Sequence, residues 1–238
     1  MAETWLITGA SRGMGLEFVR QCLADGHTVI AVARNPGSAG ELADLARQHG
    51  ERLRIEQADM ASEAAIADLA ARLAGTPIDV LLNNAGISIA GWPGAPVQPE
   101  PADLPYQAWE EVLRTNLFAP FALTVALRTN LSASARKLVV MMSSDLGSIA
   151  QNTMGGSYAY RASKAGLNMV TKGLSHDLKA DGIAVVSMAP GWVRTELGTS
   201  AAMWSVEDSV ANQRKVIAGL TAADTGKFVN LKGEPVPW

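Results

Sequence analysis

Cysteine is almost missing from this sequence of 238 residues: Cys22 stands alone, so no disulfide framework can form within the chain. A lone thiol fits a reducing compartment. Histidine is nearly as scarce. His27, His49 and His176 are scattered, and no His-x-x-x-His or Cys-x-x-Cys pair occurs, so no metal site is expected. No apolar run reaches the roughly 18 residues of a spanning helix, and no basic stretch leads into an apolar one at the start. A cytoplasmic protein with no membrane contact is therefore expected. A net charge of −3 gives no electrostatic basis for binding nucleic acid. Internal repeats, low-complexity tracts and linkers are missing too.

What remains is a chain rich in buried-type residues, 48% hydrophobic against 18% charged. Short apolar, β-rich runs fall at 4–8, 28–33, 53–57, 77–82, 138–142, 183–188 and 226–230, with helical patterns between them. That alternation predicts α/β architecture: a doubly wound, seven-stranded parallel sheet with helices on both faces, in one domain over 1–238.

The first strand runs directly into Gly9-Ala10-Ser11-Arg12-Gly13-Met14-Gly15, and a helical pattern follows over 16–25. Strand, glycine loop and helix together make a pyrophosphate site, because glycines admit a tight turn and bring phosphates close to the helix N-terminal N–H groups. The spacing is Gly-x-x-x-Gly-x-Gly. Gly9, Ser11, Arg12, Gly13, Met14 and Gly15 are the candidates there. The second strand ends in Ala33-Arg34, with no acid to bind a free ribose 2′-hydroxyl. Arg34 and Arg12, with no opposing carboxylate, favour a 2′-phosphate, hence NADP(H) over NAD(H).

The third strand ends at Ala58-Asp59-Met60, and both Asp59 and Met60 count as cofactor candidates. Asp59 can accept from an adenine amino group or, equally, cap the helix over 62–73. The fourth strand ends in Asn83-Asn84-Ala85-Gly86, amides and small residues that can line a cofactor crevice. The proline-rich stretch 87–105 is expected at the substrate mouth, with the loop 191–206 as its counterpart and residues 196–204 as a lid. Over 106–130 the pattern predicts a helix with Asn116 near its middle. On that pattern alone Asn116 is a surface residue, and Pro120 kinks or bulges the helix. The fifth strand ends in Ser143-Ser144, and the sixth runs into Pro190-Gly191, Val193 and Thr195.

A helix over 158–179 carries Tyr160 and Lys164, four apart and so on one face. An ammonium beside a phenol favours the phenolate, which is expected to lower the pKa of Tyr160. Trp92, Met154, Trp192, Met203 and Trp204 are candidate pocket residues.

Together, Thr8-Gly9-x-x-x-Gly13-x-Gly15, Asn83-Asn84-Ala85-Gly86, Asn116, Ser144, Tyr160-x-x-x-Lys164 and Pro190-Gly191 resemble the short-chain dehydrogenases/reductases over roughly 4–232. The segments 142–149 and 155–164 and the ending Gly233-Glu234-x-Val236-Pro237-Trp238 are similar to the branch holding sniffer-type carbonyl reductases and C-factor signalling proteins.

The resemblance implies an NADPH-dependent reduction of a small ketone or aldehyde. Tyr160 would be the general acid, Lys164 its modulator and ribose ligand, Ser144 the donor to the carbonyl oxygen, and Asn116 part of a water-linked relay to Lys164. Asp59, Asn84, Ala85 and Gly86 would face the adenosine half, while Val193 and Thr195 would hold the carboxamide. Ser144 precedes Tyr160 by 16 residues, a longer interval than is common in the family, so Ser143 stays open as the working hydroxyl. The resemblance also implies a dimer or tetramer, and leaves a cofactor-binding signalling role as the alternative.

Overall fold

The computed structural model describes residues 2–88, 105–198 and 200–238. The strands are β1 (Thr4–Thr8), β2 (Thr28–Ala33), β3 (Leu53–Gln57), β4 (Val80–Asn83), β5 (Leu138–Met142), β6 (Ala184–Ala189) and β7 (Phe228–Asn230). They form one parallel sheet in the order β3-β2-β1-β4-β5-β6-β7. The chain winds outward from β1 to β3, returns to the other side of β1 with β4, and winds outward again. The reversal between β1 and β4 opens a crevice at the strands' C-terminal ends, where such sheets take their ligands.

Successive side chains on a strand face opposite sides, and the sequence uses both sides. Trp5, Ile7, Val29, Ala31, Leu82 and Val140 pack with Phe18, Val19, Leu42, Val210 and Ile217 in one buried cluster. Those partners lie on α1 (Gly13–Ala24), α2 (Gly40–His49) and, after the sixth strand, the helix Val206–Gly219. Leu6, Ile30, Leu81, Val139 and Val185 point the other way, onto Leu69, Leu123, Leu131, Leu167 and Leu174. That face is covered by α3 (Glu63–Arg72), α5 (Ala119–Ala126), α6 (Arg128–Ser132) and α7 (Tyr158–Asp177), with α4 (Tyr106–Leu113) packed against α7 through Ala108, Val112 and Ala159, which leaves Val206–Gly219 as α8. Each fully buried Leu or Ile contributes about 1.5–3 kcal/mol, so the two layers hold the sheet between them.

The expected helix over 106–130 is interrupted: Arg114–Phe118 forms a π-helical turn between α4 and α5. Pro120 has no N–H to give the carbonyl of Asn116, so the regular ladder cannot close there and the turn widens. The seventh strand is shorter than expected, and its first residue is Phe228. Trp238 at the end of the chain stacks on it, with ring centroids 5.4 Å apart. Residues 89–104, which include Trp92 and most of the expected substrate-mouth loop, lie outside the described residues. Among the described residues no helix is long and apolar enough to cross a membrane.

Candidate active site

The crevice is built from the ends of β1 and β4. Thr8 Oγ1 accepts from the N–H groups of Asn84 and Ala85, each at 3.0 Å, and Asn84 Nδ2 donates to Thr8 O at 2.9 Å. This lacing brings Ala85 so near that a Cβ on Gly9 would fall 2.9 Å from Ala85 Cα. A Cβ on Gly15 would fall 2.1 Å from the carbonyl oxygen of Gly9. Packing alone therefore demands glycine at both positions. Arg12 at the start of α1 makes no side-chain cap, so the first N–H groups of the helix carry no side-chain partner. By contrast, α3 is capped by Ser62, which accepts from Ala65, so the capping role considered for Asp59 falls to Ser62. N–H groups left uncapped by the N-cap side chain at a helix start can take an anion such as a dinucleotide's pyrophosphate.

The loop following β6 closes on the same place. A Cβ on Gly13 would lie 3.7 Å from Thr195 Cγ2. Ser209 on α8 holds the turn by donating to Pro190 O at 2.9 Å. Gly191 (φ +76) turns the chain beneath Trp204, which lies 3.0 Å from where its Cβ would be. Val193 and Trp204 form a parallel bridge, and Arg194 Nη1 donates to Ala202 O at 3.2 Å. Trp204 is thus an anchor of this loop rather than a free pocket wall. Trp192 and Met203 remain exposed. Met154 lines a cleft of about 370 Å³ with Trp109, Ile149, Tyr158 and Arg161.

At the adenosine end the picture is mixed. Arg34 is exposed beyond β2. Arg12 is exposed as well but carries an ion pair, Nη1 to Glu196 Oε2 at 2.7 Å. An opposing carboxylate therefore exists, contrary to expectation; it comes from far along the chain, where the glycine loop gives no sign of it. Asp59 Oδ1 accepts from Ala61 N at 3.0 Å, a local turn, and Met60 is buried in the core beside it.

The residues expected to react come from the end of β5, the turn preceding α5, and α7. Gly156 (φ +83) and Ser157 (φ +50) reverse the chain into α7, Ser157 at the strain cost of a left-handed non-glycine residue. Lys164 is 3% exposed, and its Nζ donates to Met142 O at 2.7 Å. The same Nζ lies 5.6 Å from the Tyr160 ring centroid. Burial pulls the Lys164 ammonium down from 10.5 to about 8.

Burial also raises the Tyr160 phenol above its ordinary value; a hydrogen bond with Ser144 opposes the rise, and the charge of Asp145 adds to it. The expected lowering of Tyr160 by Lys164 is thus not a property of the chain alone. Desolvation of the phenol is the largest influence on it, and the Lys164 ammonium is itself disfavoured by burial.

The two serines are separated by their partners. Ser143 is buried and its Oγ donates to Asn168 Oδ1 at 2.7 Å. Ser144 accepts from Leu146 N at 3.2 Å and is the one engaged with Tyr160. The long interval up to Tyr160 is strapped by the chain's last residues. Ser148 Oγ donates to Pro237 O at 2.6 Å, and the Ile149 N–H donates to Trp238 O at 2.9 Å.

Asn116 is 1% exposed, not a surface residue. The π-turn swings it inward, where Oδ1 accepts from Ile87 N and Nδ2 donates to Ile87 O, both at 2.9 Å, and to Ser163 Oγ at 3.0 Å. It meets Lys164 only across Gly86, whose Cβ would lie 3.5 Å from Asn116 Oδ1 and 3.6 Å from Lys164 Nζ. Glu196, Ser163 and Asn168 contact the expected site residues or their neighbours, and sequence reasoning did not single them out. Asn168 alone had a readable signal, its helical spacing from Tyr160 and Lys164.

A seven-stranded doubly wound sheet, a glycine loop at its switch point and a Tyr-x-x-x-Lys helix whose lysine reaches Gly86 define a Rossmann-type oxidoreductase. Residues 3–205 match the family model described as short chain dehydrogenase, and the chain belongs to that family. It is 38% identical to the C-signal of Myxococcus xanthus over 162 residues, 68% of this chain and 93% of that protein. Among solved structures it is similar to the carbonyl reductase Sniffer of D. melanogaster, at 35% identity and TM-score 0.91 over the whole of both chains. It is also similar to an NADPH-bound carbonyl reductase from chicken fatty liver, at 33% identity and TM-score 0.90, over 100% of this chain and 99% of that one.

Proposed function

We propose that this chain reduces a small ketone or aldehyde with NADPH, Tyr160 giving the proton to the carbonyl oxygen. The observation that carries the reading is the Tyr160 phenol set beside the buried ammonium of Lys164, whose Nζ lies 5.6 Å from its ring centroid. A phenol held above its ordinary pKa is protonated at neutral pH, which suits a general acid in the reductive direction. Ser144 would donate to the carbonyl oxygen as charge develops on it. Lys164, with a pKa of about 8, remains mostly protonated at pH 7 and supplies the positive field that receives the phenolate.

Gly9, Ser11, Gly13, Met14 and Gly15 would hold the pyrophosphate, Asn84 to Gly86 and Asp59 the adenosine half, and Pro190, Gly191, Val193 and Thr195 the other end. Arg12 and Arg34 would bind a 2′-phosphate. When bound, the cofactor supplies hydride to the carbonyl carbon. Likeness to an NADPH-bound carbonyl reductase supports the choice of cofactor and reaction.

The test is NADPH oxidation over a panel of ketones and aldehydes, with Tyr160→Phe beside the wild type. Turnover in the wild type, reduced at least a hundredfold in the variant, is the expected result. Tight NADPH binding without turnover on any carbonyl overturns the reductase reading and leaves the signalling one, which the likeness to the C-signal favours.

A further inference from the structure

The buried face of α7 holds more of the site than the tyrosine and the lysine. Lys164 and Asn168 stand one turn apart on it, and both reach the segment that carries Ser144. Lys164 Nζ donates to Met142 O at 2.7 Å, just before the serine pair. Asn168 takes the next two points: its Oδ1 accepts from Ser143 Oγ at 2.7 Å and its Nδ2 donates to Gly147 O at 3.2 Å. Asn168 is only 4% exposed, so water does not compete for either bond. Gly147 lies so close to α7 that a Cβ there would fall 2.9 Å from Lys164 Cβ. Within this bracket the turn Asp145–Gly147 is closed by Gly147 N donating to Ser144 O at 2.8 Å.

The result is a serine fixed from both sides. Its predecessor is tied through a side chain and the end of its turn through a carbonyl, and both ties end on the same amide. We propose that Asn168 is a positioning residue: by gripping Ser143 and Gly147 together it sets the Ser144 hydroxyl against Tyr160. Ser143 is thereby an anchor and not the working hydroxyl. The inference rests on the reading of Ser144 and Tyr160 as the reacting pair. An amide suits the task because its oxygen accepts from Ser143 while its separate NH2 donates to Gly147 O; an ionised carboxylate cannot donate, and a hydroxyl has only one oxygen for both bonds.

The experiment reads the Tyr160 phenol directly. The chain has three tyrosines, so ultraviolet titration of each protein against its own Tyr160→Phe counterpart isolates this one. The titration is run with and without NADP, and circular dichroism confirms the fold at each pH. Moving the Ser144 hydroxyl away from Tyr160 removes a donor that favours the phenolate. Asn168→Ala is therefore expected to move Tyr160 ionisation to higher pH, lowering the phenolate-to-phenol ratio about three- to tenfold at a given pH. NADPH affinity stays within about threefold.

Ser143→Ala shifts the ionisation in the same direction, and the double variant goes no further than Asn168→Ala, because the residues act as one unit. An unmoved phenol in Asn168→Ala overturns the proposal, as do additive shifts in the double variant. Where Asn168→Ala does not fold, Ser143→Ala decides by the same readout. The phenol shift is read without turnover. Failure of the carbonyl panel therefore sinks the proposed reaction alone, and an unmoved phenol sinks the positioning role alone.

Discussion

Asn116 clamps the backbone of Ile87 at both ends, accepting from its N–H and donating to its carbonyl at 2.9 Å each. The clamp fixes the point where the chain leaves β4 and Gly86, one residue from where the cofactor crevice meets Lys164. Asn116→Ala leaves both Ile87 groups and the Ser163 hydroxyl short of a partner, at a cost of about 1–3 kcal/mol. Thermal melts are expected to show a Tm lower by several degrees. Carbonyl reduction should fall at least tenfold while the fold is retained. Full activity in this variant would remove Asn116 from the site.

The same residue shows where the sequence was legible and where it was not. The seven strands and their alternation with helices follow from short apolar runs that each strand declares locally, whereas the strand order is set by pairings between distant segments. The glycine loop is readable because its spacing reports a backbone need, confirmed where a Cβ on Gly15 would strike Gly9 O. Asn116 is unreadable from its helix alone. Its inward turn depends on Pro120 and on a partner, Ile87, from another part of the chain. Glu196 opposite Arg12 is hidden for the same reason, since contacts between distant loops leave no periodicity. The pKa of Tyr160 is decided by burial, a sum over the whole fold that no local spacing carries.

Gly15→Ala tests the glycine loop. The added methyl would sit 2.1 Å from Gly9 O and 2.7 Å from Asn84 Nδ2, so the loop must open to admit it. NADPH binding, followed by fluorescence titration, is expected to weaken at least thirtyfold. The folded state should remain detectable by circular dichroism, because the strand ladder lies outside the clash. Unchanged NADPH affinity would show that this loop does not hold the pyrophosphate.

In the proposed reading, cofactor choice turns on Arg34, Arg12 and the carboxylate that Arg12 faces. Arg34→Asp is expected to weaken NADPH at least tenfold and to leave NADH within about threefold, since only NADPH carries the 2′-phosphate. Glu196→Gln releases Arg12 from its exposed ion pair. Such a pair holds at most about 1 kcal/mol, so the gain in NADPH affinity should not exceed roughly fivefold, and it should shrink in high salt. Equal losses for both cofactors in Arg34→Asp would remove Arg34 from this role.

Lys164 is held in the fold at an energetic cost, and the sign of that cost with pH is testable. Its pKa falls from 10.5 in the unfolded chain to about 8 in the folded one, so folding opposes its charge. The cost is fully present below about pH 8, is relieved as the pH rises toward 10.5, and vanishes above that. At neutral pH it amounts to roughly 3 kcal/mol, from which the bond to Met142 O recovers about 1. Lys164→Met keeps the volume, removes the charge and forfeits that bond. The variant is therefore expected to melt a few degrees above the wild type at pH 7 and to lose the advantage by about pH 10. A variant less stable than the wild type at pH 7 would mean that the ammonium is stabilised where it sits, and that the crevice already provides the charge partner its burial denies.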